Sequence, residues 1–361
     1  MQNNNKNLGV LAKDELIRFV NIIDHKLREY WSKETRTGFG YGQRQRQLVN
    51  EILTHASEHN LRPAKRIRGA FVVNAFGLSR KVDEKIWKVA MGLELVHTAL
   101  LMHDDFMDED KLRRGKPTTH EFFAQGDKHK GESMAVNVGD AVLCLGYEMI
   151  LQSGFESEKL VDCVAYLMRS IANTAFGQAY DVELSTNYKW SEQEVLDLHK
   201  AKTALYTYEN PLVLGASLGG VGEEAVQILK DYAHVGGVAF QLQDDILGLF
   251  GESESTGKSV DSDLLQGKCT LLVLKALELG NEKQRAAIEK VWGKKEATEE
   301  ELLEAKMAIK NTGSYDYSKS LARKMAAEAA LCANKLRNLN LAPEAIDFIQ
   351  GVAEYMVERD V

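Results

Sequence analysis

The sequence predicts an all-α fold. Only four prolines, Pro63, Pro117, Pro211 and Pro343, occur in 361 residues, and proline breaks helix interiors, so long helices can run uninterrupted. Apolar side chains recur at three- and four-residue intervals over most of the chain, the helical period. Short Gly, Ser, Asn or Pro stretches punctuate these patterns.

The first pattern, residues 14–31 (DELIRFVNIIDHKLREYW), is an amphipathic helix, and 33–43 (KETRTGFGYGQ) reads as a loop. Gly38, Gly40 and Gly42 follow no predicted strand and lack the third glycine of a dinucleotide fingerprint at its spacing, so they read as a plain loop. Helical patterns then cover 64–77, 83–107, 133–153, 157–184, 191–218 and 223–250. Residues 293–310 (GKKEATEEELLEAKMAIK) form a solvated helix, with Thr298 as cap and Glu301 three residues on as the reciprocal capping-box partner. An alanine-rich helix, 317–336, and a final one, 343–358, close the chain. No repeat, composition break or linker divides it, so 1–361 is read as a single domain in which 1–45 form an N-terminal extension and helix.

Hydrophobic residues make up 44% and charged residues 27%, and the net charge is −8. A chain of that charge has no general attraction for phosphate polymers, so nucleic acid is not an expected partner. Cys144, Cys163, Cys269 and Cys332 form no C-x-x-C pair, which argues against zinc and for reduced thiols in a cytoplasm. No uncharged run reaches the ~20 residues needed to span a bilayer, and no apolar leader is recognisable, so neither stable membrane insertion nor export is expected.

The strongest feature is residues 93–115, LELVHTALLMHDDFMDEDKLRRG, where an apolar helix runs into Asp104, Asp105 and Asp108. Asp104 and Asp108 share a helix face, where two carboxylates repel unless a cation sits between them; a hard, oxygen-liganded divalent ion resolves this. A second cluster, Gln241-Leu242-Gln243-Asp244-Asp245, ends another apolar helix. Each cluster alone has a structural reading as a solvated helix end. Cationic company shifts the balance: Arg113 and Arg114 follow the first, Lys258 and Lys268 the second, and such groups together suit a metal-bridged phosphate. The stretch 251–259 (GESESTGKS) has one residue too many for a Walker loop and follows a helix. An EF-hand at Asp104 fails because its sixth position is Glu109 rather than glycine.

These residues resemble the trans-prenyl diphosphate synthases, the family of farnesyl and geranylgeranyl diphosphate synthases, from about Ala64 to the end. The resemblance implies the isoprenoid synthase fold, a large antiparallel helix bundle around a central cavity. It implies that Asp104, Asp108 and Asp244 bind magnesium, about three ions in all, with Asp105 and Asp245 also catalytic. Ala64-Lys65-Arg66-Ile67-Arg68 is similar to the family's G-K-x-x-R element, with alanine for glycine; Lys65, Arg68 and His97 would bind isopentenyl diphosphate together with Arg114. Arg113, Lys202, Thr203, Gln241, Lys258 and Lys268 would serve the allylic diphosphate. Gly177-Gln178-Ala179-Tyr180-Asp181 resembles the G-Q-x-x-D element, and Thr256-Gly257-Lys258, Asp263 and Gly267-Lys268 the family's loop. Gly248 stands where many members have a third aspartate. His103 is read as structural or as a support behind the site residues, and as neither acid nor base.

By the same resemblance the chain condenses an allylic diphosphate with isopentenyl diphosphate into a longer all-trans prenyl diphosphate, as a homodimer. Val96, Ala99 and Leu100, one and two turns below the first motif, would set product length. None is aromatic, which points to geranylgeranyl diphosphate, with farnesyl or longer products as alternatives. A class I terpene cyclase would leave Lys65, Arg68, His97 and Arg114 without purpose. A non-catalytic regulatory subunit would not need Asp104, Asp108, Arg113, Lys202, Asp244 and Lys258 intact.

Overall fold

The computed structural model describes residues 7–34, 40–186, 190–251, 261–294 and 296–358, and these are almost entirely helical. In chain order the helices are α1 (Leu8–Lys33), α2 (Gln43–Asn60), α3 (Ile67–Gly77), α4 (Glu84–Met107), α5 (Thr119–Ala124), α6 (Lys128–Leu151), α7 (Ser157–Thr186), α8 (Glu192–His199), α9 (Asn210–Gly219) and α10 (Glu223–Phe250). They continue with α11 (Ser262–Leu265), α12 (Leu271–Leu279), α13 (Glu282–Val291), α14 (Glu299–Asn311), α15 (Ser314–Asn334) and α16 (Pro343–Val357). Between α8 and α9 the backbone widens to π-helical geometry over Lys200–Glu209, inside what the apolar period reads as one helix.

The chain divides into two compact units: Asp14–Val73 with Val82–Val164, and Met1–Lys13 with Asn74–Lys81 and Ala165–Val361. In the first, α1 is core rather than appendage: Leu16, Phe19, Ile23 and Leu27 are buried, and Phe19 stacks on Trp87 with ring centroids 5.2 Å apart. Asp83 caps α4, its carboxylate accepting from the Lys85 and Ile86 amides. α4 and α6 meet backbone to backbone. A Cβ on Gly146 would lie 2.7 Å from the Gly92 carbonyl oxygen and 2.9 Å from the Val96 nitrogen, so only glycine admits this approach. α6 is, among the described residues, the one helix long and apolar enough to cross a membrane by length and composition.

The periodicity does not predict α2 or the hairpin that follows α4. In that hairpin β1 (Leu112–Arg113) pairs antiparallel with β2 (Lys116–Pro117). Arg114 and Gly115 form its tip at φ 54° and 73°, the two left-handed positions a two-residue hairpin turn demands.

In the second unit α10 packs on α15 and on the π-helical stretch. Its core gathers Leu198, Ala204, Leu242, Ile246, Leu272, Ile288, Trp292 and Ala322, with Trp190 against Trp292 at 5.0 Å. The Thr298–Glu301 capping box of α14 forms as expected, with the Glu301 amide donating to Thr298 Oγ1 and the Thr298 amide to Glu301 Oε2. All four cysteines are unbridged.

Candidate active site

In the first unit the last turn of α4 concentrates negative charge. The Asp108 amide donates to the Asp104 carbonyl at 2.8 Å, which sets both carboxylates on one face, where the helix already ends in its own partial negative charge. Asp105 and Asp110, both buried, add two more. Arg113 answers part of this: its Nε donates to Asp105 Oδ1 at 2.6 Å, and its terminal nitrogen lies 3.7 Å from both Asp104 and Asp110. Burial disfavours the Arg113 charge, but Asp105, Asp104 and Asp110 outweigh it and hold the guanidinium firmly protonated. A hard divalent cation fits the face shared by Asp104 and Asp108. The donors are carboxylate oxygens, and magnesium takes one or two such groups and fills the rest of its shell with water and phosphate oxygens. Among the described residues no three or more His, Cys, Asp or Glu side chains gather into a closed cage.

Beside this acidic end lies a basic one. Arg68 approaches His97 Nε2 at 2.9 Å. Burial first, then Arg68, Arg114, Arg113 and Arg66, push the His97 imidazole well below its ordinary range, so it stands neutral. Arg114, at the hairpin tip, donates to the Arg62 carbonyl at 3.2 Å. Burial, Arg66 and Arg113 bring its pKa down to about 10. A guanidinium whose charge is disfavoured by its own surroundings gains most from a bound anion.

Arg66, inside the same K-R-I-R run, is different. It is buried, its Nε donates to Asp24 Oδ1 at 2.9 Å, its terminal nitrogens donate to Glu94 Oε2 at 3.3 Å and the Asn60 carbonyl at 2.6 Å, and its backbone is left-handed at φ 51°. Lys65 is exposed. Arg62 holds the hairpin by donating to the Arg113 and Pro117 carbonyls at 3.0 and 2.9 Å. Nothing in the apolar period marks Arg62; the Arg114-Gly115 pair is the sequence signal for the turn that it secures.

Val96 and Ala99 are fully buried and Leu100 half-buried. Val96 leans on α6 beside Gly146. His103 lies over Gly139, with Nε2 3.3 Å from the Val136 carbonyl and 3.5 Å from Asp140 Oδ1.

In the second unit Lys202 Nζ donates to Asp181 Oδ2 at 2.7 Å, and Lys268 Nζ lies 3.8 Å from the same oxygen. Gly177 permits this: a Cβ there would lie 2.9 Å from the Lys202 nitrogen, so α7 rests directly on the π-helical stretch. Thr203 Oγ1 donates to Gln241 Oε1 at 2.6 Å, and Gln241 Nε2 donates to Asp245 Oδ1 at 2.8 Å. This chain ties the Lys202-Thr203 element to the second aspartate cluster. Asp244 is half-buried next to it. At Gly248 a Cβ would lie 3.0 Å from Asp263 Oδ2, so a carboxylate occupies that neighbourhood although position 248 itself carries none. Lys258 and its neighbours Thr256 and Gly257 lie outside the described residues.

A family described as polyprenyl synthetase matches residues 50–309. A geranylgeranyl diphosphate synthase from Sulfolobus acidocaldarius is 33% identical over 82% of this chain and 87% of that one. One from Methanosarcina mazei is 32% identical over 82% and 86%. The crystal structure of geranylgeranyl pyrophosphate synthase from Corynebacterium glutamicum, complexed with isoprenyl diphosphate and magnesium, superposes with a TM-score of 0.81 at 25% identity, covering 98% of this chain and 99% of that one.

Proposed function

This chain belongs to the polyprenyl synthetase family, and from that premise we propose that it condenses an allylic diphosphate with isopentenyl diphosphate to give geranylgeranyl diphosphate. The observation that carries the reading is the pairing, at one end of α4, of an acidic face at Asp104 and Asp108 with the cluster of Arg68, Arg113 and Arg114 around His97, in which the Arg114 charge is disfavoured until an anion arrives.

In this reading Lys65, Arg68, His97 and Arg114 bind the diphosphate of isopentenyl diphosphate. Neutral His97 acts as a hydrogen-bonding partner rather than a cation. Asp104, Asp108 and Asp244 hold magnesium, about three ions, whose charge offsets that of the departing diphosphate. Arg113, Lys202, Lys258 and Lys268 bind the allylic diphosphate, with Thr203 and Gln241 fixing the Lys202 element in place. The allylic carbon–oxygen bond breaks, its electron pair leaves with the diphosphate, and the double bond of isopentenyl diphosphate attacks the resulting cation. Loss of a proton restores an allylic double bond, and the released diphosphate accepts that proton. Electrostatic stabilisation and orientation supply the rate, and the apolar side chains below the aspartates keep water from the cation.

Geranylgeranyl as product rests on the small, buried Ala99 and on the names of the relatives. A homodimer is supported by Met168, Phe176 and Val182, large apolar side chains exposed along one face of α7. The unbridged cysteines suit a cytoplasmic setting.

The test is incubation of the purified chain with magnesium, labelled isopentenyl diphosphate and each of dimethylallyl, geranyl and farnesyl diphosphates. Labelled geranylgeranyl product is expected, and Ala99→Phe should shift it to farnesyl. Absence of incorporation with every primer would refute the synthase reading and favour a cyclase or a regulatory subunit.

A further inference from the structure

Both aspartate clusters repeat one construction at their second position. In α4 the Asp105 side chain is fully buried; its Oδ1 receives Arg113, while its Oδ2 has no hydrogen bond and faces His59 Nε2 at 3.7 Å. In α10 Asp245 is buried; its Oδ1 receives Gln241 Nε2 at 2.8 Å, while its Oδ2 has no hydrogen bond and faces His199 Nε2 at 3.2 Å. His59 comes from α2 and His199 from the end of α8, and both are buried. So in each unit a histidine from another helix points Nε2 at the inner oxygen of the second aspartate. One residue earlier, Asp104 and Asp244 stay half-buried, turned about 100° around their helices.

Two adjacent carboxylates at a cation site compete. If the second swings outward it offers the ion a wrong ligand and adds a charge that the first must share. If it stays inside, an orphaned carboxylate oxygen is costly unless a donor faces it. Arg113 and Gln241 satisfy one oxygen each, and a histidine N–H is the group within reach of the other. Contacts of this kind are often long without substrate and shorten when the loaded site draws its neighbours together.

We propose, building on the prenyltransferase reading above, that His59 and His199 are positioning residues: each donates from Nε2 to the inner oxygen of Asp105 or Asp245. Each thereby keeps that carboxylate turned inward, leaving Asp104 with Asp108, and Asp244, as the outward ligands. They touch neither substrate nor ion and act through the aspartates.

The test compares three replacements at each histidine in the full chain. Glutamine carries an N–H near the place of Nε2, asparagine carries one near Nδ1 instead, and leucine carries none. Binding of inorganic diphosphate with magnesium is measured by calorimetry, the magnesium dependence of kcat and KM by kinetics, and folding by circular dichroism. Losing a group that orients a metal ligand costs about 10- to 100-fold in metal affinity, so His59→Asn, His59→Leu and their His199 counterparts should need about tenfold more magnesium and bind magnesium diphosphate correspondingly more weakly. His59→Gln and His199→Gln should recover most of the loss. Should leucine disrupt folding, the asparagine and glutamine pair, equally polar, decides. Asparagine and glutamine variants that behave alike, or folded asparagine variants that match the wild type, overturn the proposal. Failure of the wild-type chain to bind magnesium diphosphate or to make product overturns instead the reading it rests on.

Discussion

Arg66→Ala should unfold the protein more easily without touching a substrate contact, although Arg66 lies in the basic run Lys65-Arg66-Ile67-Arg68. Its guanidinium is 2% exposed and pairs with Asp24 and with Glu94, whose own side chain is 2% exposed. Removing it strands the buried Glu94 carboxylate, whose other oxygen accepts from the Gly69 amide at 3.0 Å, and breaking a buried pair in this way costs about 3–5 kcal/mol. The Asn60 carbonyl loses a donor too, and Asn60 receives Trp31 Nε1 at 2.9 Å, so tryptophan fluorescence in a urea titration reports the change directly. Arg68→Ala, by contrast, should leave the urea midpoint close to wild type and raise KM for isopentenyl diphosphate. An Arg66→Ala protein that unfolds at the wild-type midpoint yet is inactive would refute the division of labour between Arg66 and Arg68.

Two further outcomes follow from local electrostatics. Burial, then His59 and Arg62, bring the His55 pKa from the ordinary 6.5 down to about 4. The unfolded chain therefore binds more protons between those values, and His55 contributes stability that is fully present above pH 6.5 and lost as pH falls toward 4. The shift corresponds to roughly 3 kcal/mol, and His55→Phe should remove that slope from stability measured against pH; an unchanged slope would exclude His55 as its source. Asp108→Asn takes a negative charge off the C-terminal end of α4, which should raise stability by about 0.3–1 kcal/mol while lowering kcat by about 100-fold or more. Melting curves and turnover measured together check both signs at once.

Much of this molecule is legible in its sequence because its helices bury apolar stripes. α4 and α10 announce themselves in that way, and their aspartates stand out against an apolar background. α2 does not, since what it buries is His55, His59 and Asn60 with Ala56 alone among apolar residues, a mostly polar face that hydrophobic periodicity cannot register. Nor does the pattern separate Arg66 from Arg68. Both are cations near the start of α3, and only the positions of Asp24 and Glu94, far apart in sequence, make one an ion-paired core group. The π-helical stretch is hidden for a related reason: a widened backbone over Lys200–Glu209 shifts the register of contacts without changing residue types, and Gly177, against which it packs, is its faint trace.

The seam between α4 and α6 has a consequence for how the product spectrum of such a chain can be altered. With Gly92 and Gly146 in contact through their backbones, the two helices cannot slide past or lean away from each other by exchanging one side chain for another. They act as a ruler whose graduations are fixed. Under the function proposed above, Ala99 and Leu100 would mark heights along it, so that a substitution there moves a stop and leaves the scale unchanged, whereas Val96 packs in the seam itself against Gly146. Substitution at Gly92 or Gly146 would instead displace the ruler itself, and with it the aspartates at its end.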